Sequence, residues 1–185
     1  LRYAKANIPA YADLLHAVDP EEIKDRSLLA RLPVTRKSEM GKAQAKAPPL
    51  GGYTDLKGRR LPRVFASPGA IFEPQADSEN FWRLARALYA AGCREGDLVY
   101  NTFSYHFTPA GFMLESGAHA LGCTVFPAGV GQTELQVQAM AHLRPDFYVG
   151  TPSFLKILLD KAKEMKADVS SLKLGLVSGE ALPGP

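Results

Sequence analysis

From about residue 77 onward the chain alternates between two hydrophobic periods. Apolar positions Phe81, Leu84, Ala85, Leu88 and Tyr89 recur at i, i+3, i+4, i+7 and i+8, which predicts a helix capped by Asp77 or Ser78. Gly92 stands just past it, where a left-handed residue closes a helix. The turn Glu95-Gly96-Asp97 then leads into Leu98-Val99-Tyr100, a continuous apolar run of strand length. Thr108-Pro109 reads as an N-cap followed by proline in the first turn, opening a helix that runs to Leu121 and stops at Gly122. Cys123–Phe126 is a short strand. Thr133-Glu134-Leu135-Gln136 has the pattern of a capping box and opens a helix that ends before Pro145. Phe147-Tyr148-Val149 is the next strand, and Thr151-Pro152 repeats the cap-and-proline signal. The helix behind it is apolar at Phe154, Leu155, Leu158, Leu159 and Ala162. Leu172–Val177 is a last strand, after which Ser178-Gly179-Glu180 turns outward.

Short apolar strands separated by helices predict an α/β fold, a mostly parallel sheet with helices on both faces. Sites in such sheets gather beyond the carboxyl ends of the strands. The informative loops are therefore 66–74, 102–109, 127–132, 150–152 and 178–183. The first sixty residues differ: helical pieces over Leu1–Ala17, Glu21–Leu32 and Thr35–Ala47 precede a Pro- and Gly-rich loop, Pro48–Gly58. The expected organisation is a helical lead-in and loop over 1–60, then an α/β subdomain over 61–185.

Composition narrows the classes. At 46% hydrophobic and 22% charged, the chain reads as an ordered globular domain. Its longest apolar stretch, Leu114–Phe126, is broken by Glu115, Ser116 and His119, so no membrane span is expected. The net charge of +3 is scattered, with no basic and aromatic stripe of the kind nucleic acid requires. Lys57-Gly58-Arg59-Arg60 is either a solvated loop or an anion contact. Cys93 and Cys123, 30 positions apart, make neither a disulfide framework nor a metal spacing, and fit a reducing cytoplasm. Gly129-Val130-Gly131 lacks the third glycine of a dinucleotide loop. No Ser/His/Asp set and no paired carboxylates stand out, so no catalytic acid or base is assigned.

Several segments, in order, carry a resemblance to one family. They are Tyr3–Tyr11, Leu32-Pro33-Val34-Thr35-Arg36-Lys37-Ser38, Gly129–Gln136, Thr151-Pro152-Ser153-Phe154 and Ser178-Gly179-Glu180-Ala181-Leu182-Pro183. Together they resemble the phenylacetate–CoA ligase branch of the adenylate-forming enzymes over essentially the whole chain. The resemblance implies part of the large N-terminal domain of such an enzyme. It also implies ATP, Mg²⁺ and CoA as cofactors, a small carboxylic acid such as an aryl acid as substrate, and a possible homodimer. Ser178, Gly179, Glu180 and Ala181 would then border the adenine, where a Ser-Gly pair lets backbone approach a flat base. The alternative for that segment is a helix-start loop with Glu180 at the positive end of a helix dipole. Tyr105, His106 and Gly111 would line the acyl pocket, with Gly111 leaving room for the acid. A structural histidine is the competing reading of His106.

The same resemblance exposes departures. The family's phosphate loop is rich in Ser, Thr and Gly and ends in Lys-Pro, whereas this chain reads Ala66-Ser67-Pro68-Gly69-Ala70-Ile71-Phe72-Glu73-Pro74. Ser67 and Gly69 stand where phosphate contacts are expected. Glu73 replaces the lysine, and a carboxylate 4 Å from a phosphate is opposed by about 1 kcal/mol in water and about 4 kcal/mol at an effective dielectric near 20. Two readings stay open: a weakened adenylating enzyme, or a non-adenylating relative that binds an acid, an acyl-CoA or a partner protein. The family's later segments are expected beyond Pro185, and the true start upstream of Leu1.

Overall fold

The computed structural model describes residues 1–55, 61–67 and 71–182. Lys57–Arg60 and Gly69 lie outside the described residues. The chain divides into two units, Leu1–Asp77 and Ser78–Pro185.

In the first unit the expected single helix over Leu1–Ala17 is two, α1 (Arg2–Asn7) and α2 (Pro9–Leu14). Pro9 causes the break, because a residue before proline is pushed out of the helical region, and Ile8 is extended at φ −118°, ψ 109°. Short 3₁₀ turns at Pro20–Glu22 and Ser27–Arg31 replace the expected second helix. Helix α3 (Lys37–Lys46) follows. The stretch read as a phosphate loop is instead largely an antiparallel hairpin, β1 (Arg63–Ser67) and β2 (Ile71–Gln75), with Ser67 opposite Ile71 and Phe65 opposite Glu73. Ile71 and Phe72, the residues that break the family's loop pattern, favour a pleated, half-buried surface, and Ile71 is buried. Gln44 of α3 closes on this hairpin as a peptide group would. Its Nε2 donates to the Phe72 carbonyl at 2.7 Å and its Oε1 accepts the Phe72 N–H at 2.9 Å.

The second unit holds the predicted parallel sheet: β3 (Leu98–Asn101), β4 (Thr124–Pro127), β5 (Phe147–Gly150) and β6 (Leu174–Val177), in the order β4-β3-β5-β6. Every pairing is parallel. Helix α4 (Ala85–Ala90) precedes β3, and α5 (Ala110–His119), α6 (Thr133–Leu143) and α7 (Pro152–Met165) make the crossovers. The pleat sends alternate residues to opposite faces. Val99, Phe147 and Val149 join Leu88 of α4 with Leu114 and Ala118 of α5 on one face. Tyr100 and Tyr148 join Val137 and Met140 of α6 with Leu158 and Ala162 of α7 on the other. The central strands β3 and β5 are buried on both faces, which is why their apolar runs do not alternate.

Three helix starts differ from expectation. Helix α4 begins at Ala85, not near Ser78, because Asn80 and Arg83 adopt φ +49° and +62°, and Asn80 Oδ1 accepts the Ala85 N–H at 3.2 Å. Pro109, not Thr108, occupies the cap position of α5. Helix α6 starts at Thr133 behind a left-handed Gln132, without the side-chain bond of a capping box. By contrast Thr151 Oγ1 accepts the Phe154 N–H at 3.3 Å, with Pro152 in the first turn, as the sequence indicates.

Leu158 is fully buried and Ile157, its neighbour, half exposed. Leu158→Ala is expected to cost about 2–5 kcal/mol and Ile157→Ala less than about 1 kcal/mol, compared through urea-unfolding midpoints.

Candidate functional site

The chain passes from β3 to β4 on one side of the sheet, then recrosses to β5 and β6 on the other. That reversal makes the junction of β3 and β5 the topological switch point, outside whose carboxyl edge ligands bind in such folds. What stands there is polar and buried.

Asn101 ends β3 with no exposure to solvent. Its Nδ2 donates to the Tyr105 hydroxyl at 2.8 Å and to the Gly111 carbonyl at 2.9 Å, and its Oδ1 accepts the Phe103 N–H at 3.1 Å. One side chain thus fixes both ends of the loop between β3 and α5. Thr102, also buried, places Oγ1 2.8 Å from the Tyr148 hydroxyl and 3.1 Å from the Val149 carbonyl. The Tyr148 hydroxyl donates in turn to the Thr151 carbonyl at 3.3 Å. Burial pushes the Tyr148 phenol up from its ordinary range, so it stays protonated and available as a donor. Both hydroxyls sit over Gly150, where any Cβ would overlap them.

The loop after β6 comes to the same place. Ser178 donates its N–H to the Gly150 carbonyl at 3.1 Å. Gly179 adopts φ +85°, and a Cβ there would lie 3.7 Å from Thr151 Cγ2 and 3.9 Å from Phe103 Cε1. Glu180 folds back onto the first turn of α7, accepting the Ser153 N–H at 3.2 Å and the Ser153 hydroxyl at 2.9 Å. It does lie at the positive end of a helix dipole, but of the helix before it in the chain. Ala181 is exposed beside it. The loops after β3, β5 and β6 therefore converge on Phe103, Thr151 and Gly179. The backbone there carries no side chain and is flanked by a threonine methyl and an aromatic edge.

The residues expected to line an acyl pocket are placed differently from one another. Tyr105 is half-buried, its ring edge-on to Phe112 at 5.1 Å between centroids. Burial, then the neighbouring Glu115, push its phenol well above the ordinary range, against the Asn101 hydrogen bond. Gly111 does not leave space for a ligand. A Cβ there would meet the Ser104 carbonyl at 2.8 Å and the Tyr105 ring at 2.9 Å, so its missing side chain admits Tyr105. His106 is exposed and donates its backbone N–H to Ser104 Oγ at 3.1 Å. Phe107 beside it is 84% exposed at φ +61°.

Ser67 belongs to the first unit. Its buried hydroxyl donates to the Ile71 carbonyl at 3.3 Å across the hairpin. Glu73 pairs with Lys37 Nζ at 3.3 Å on half-exposed side chains, an interaction worth about 0–1 kcal/mol. Among the described residues no group of three or more His, Cys, Asp or Glu is placed to hold a metal ion.

No protein-family model matches the chain. The phenylacetate-coenzyme A ligase of Aromatoleum evansii is 32% identical over 191 residues, covering 97% of this chain and 42% of that protein. The enzyme of the same name from Pseudomonas putida is 31% identical over 95% of this chain and 41% of its own length. Along nearly its whole length the chain is thus similar to phenylacetate-coenzyme A ligases. Its fold is similar to that of another acid–CoA ligase. A 2-hydroxyisobutyryl-CoA ligase, solved in an open conformation with 2-HIB-AMP and CoA, superposes with a TM-score of 0.88 at 26% identity. That match covers 97% of this chain and 42% of the ligase. The chain thus spans about 42% of the length of these relatives.

Sequence reasoning singled out the loops after β3, β5 and β6 that the structure brings together, but not Asn101, Thr102 and Gly150. The available signal was a polar pair ending one apolar strand and a glycine ending the next. Gly150→Ala is expected to lower stability by about 1–3 kcal/mol or more, because the hydroxyl pair above it has nowhere to shift. Adding Tyr148→Phe should recover part of that loss, read from denaturant midpoints.

Proposed function

We propose that the protein activates a small carboxylic acid, an aryl acid such as phenylacetate, for transfer to CoA. The acid's carboxylate attacks the α-phosphorus of ATP and pyrophosphate leaves. The CoA thiol then attacks the acyl carbon of the adenylate, and AMP leaves. The observation that carries this reading is the convergence of three strand-end loops on Gly179 at the switch point. Ser178, Gly179 and Ala181 border the adenine through their backbone. Glu180 supports them from behind, since its carboxylate is taken up by Ser153. Tyr105 and the exposed His106-Phe107 segment border the acyl group. Mg²⁺ accompanies the nucleotide on this reading. The protein's contribution on this reading is positioning and charge stabilisation.

A second reading is favoured by the hairpin. Phe72 and Glu73 are engaged by Gln44 and Lys37, so the positions that hold phosphates in the family's pattern do structural work here. On that reading the protein binds an acid or acyl-CoA without adenylating it.

ATP–pyrophosphate exchange by the protein from the whole reading frame, across aryl and short aliphatic acids, separates the two. Acid-dependent exchange, strongest with aryl acids, is expected. Acid binding by calorimetry with no exchange for any acid would establish the second reading instead. Gly179→Val should weaken an acyl-adenylate analogue about 10-fold, since a β-branched residue is strained by about 1–2 kcal/mol in left-handed backbone.

A further inference from the structure

Cys93 and Cys123 are the chain's two cysteines, and the fold delivers both by the same device. Each follows a helix-ending glycine, in Ala91-Gly92-Cys93 and Leu121-Gly122-Cys123. Gly92 and Gly122 adopt φ +101° and +80°. Cys93 returns its N–H to the Leu88 carbonyl and Cys123 to the Ala118 carbonyl, each at 3.0 Å and each five residues back. These paired left-handed endings turn α4 and α5 into the strands that follow them and point both thiols into one core. The two turns are also tied directly. Gly96 donates to the Gly122 carbonyl at 3.2 Å, Thr124 to the Asp97 carbonyl at 3.0 Å, and Cys123 Sγ to the Arg94 carbonyl at 3.1 Å. As a result the sulfurs stand 3.4 Å apart, both buried, among Leu88, Leu114, Ala118 and Phe147.

We infer that Cys93 and Cys123 form a reversible oxidative modification site, closed to an intramolecular disulfide by peroxide or by a low-molecular-weight disulfide such as oxidised glutathione. The sulfurs need approach by only about 1.4 Å to reach bonding distance, within two turns already bound to each other. With peroxide, Cys123, which keeps slight exposure, is oxidised to a sulfenic acid and one water is released. The Cys93 sulfur then attacks it, forming the S–S bond. The departing hydroxide takes the thiol proton as a second water. With oxidised glutathione the same bond forms through a mixed disulfide, and two molecules of glutathione leave. Burial holds both thiols protonated, Cys93 pushed up to about 12, so the pair rests as dithiol and closes slowly. The bridge lies at the amino ends of β3 and β4, away from the loops of the candidate site, and does not rest on the proposed function.

The whole chain, reduced, is equilibrated in glutathione buffers of graded ratio, natively and in urea, then acid-quenched, alkylated and weighed. The expected product is a monomer about 2 Da lighter with no alkylatable thiol. Its native midpoint in [GSH]²/[GSSG] should lie on the order of 100-fold above that in urea, as a bridge that stabilises the fold requires. Cys93→Ser and Cys123→Ser should each abolish it. Two free thiols in every native buffer, only glutathione adducts or intermolecular dimers, or equal midpoints in the two conditions would each overturn the inference.

Discussion

Asn101 and Thr102 end a strand inside the protein, and the requirement that their polar atoms find partners there organises everything at the carboxyl edge of the sheet. An unpaired buried polar group costs about 1–3 kcal/mol, so each bond these residues make is close to obligatory. Asn101 meets the demand by gathering Phe103, Tyr105 and Gly111, which sets the path of the loop from β3 to α5. Thr102 meets it through Tyr148 and Val149, which sets the neighbouring strand end and forces a glycine at position 150. Ser178 then takes the Gly150 carbonyl, and the third loop is in place. The switch point is a chain of satisfied polar groups beneath an open glycine.

The sheet was legible because its strands leave an unambiguous mark: four apolar runs between helical periods. Helix ends were less so, since they depend on backbone choices that hydrophobicity does not encode. Asn80 and Arg83 delay α4 through left-handed conformations that a period-3.6 pattern passes over. The Thr133–Gln136 tetrad matches a capping box, yet its glutamine is drawn elsewhere. Gln136 Nε2 reaches the carbonyls of Gly129 and Gly131 at 3.0 and 2.7 Å, holding the loop after β4. The same four letters serve either purpose, and tertiary contact decides.

The candidate site was read with similar unevenness. The strand-end rule pointed to loops that do converge, and residue chemistry then misjudged some side chains within them. Gly111 was credited with making room for a ligand when it makes room for Tyr105. The alternative reading of Glu180 put it at the start of a following helix, whereas it serves the preceding one. Cys93 and Cys123 looked unrelated because thirty positions of sequence conceal two turns that share hydrogen bonds. Such errors concern which neighbour a side chain meets, and pairwise proximity is the information that a linear pattern lacks.

The amide of Gln44, docked on both backbone groups of Phe72, has a consequence for how freely this protein can drift. A hairpin is ordinarily held in register by its own turn, so the turn's length and residues are constrained together with the strands. Here β2 is anchored from α3 as well. Its own residues can therefore depart from a Ser-, Thr- and Gly-rich pattern, as Ile71 and Phe72 do, while the strand keeps its place.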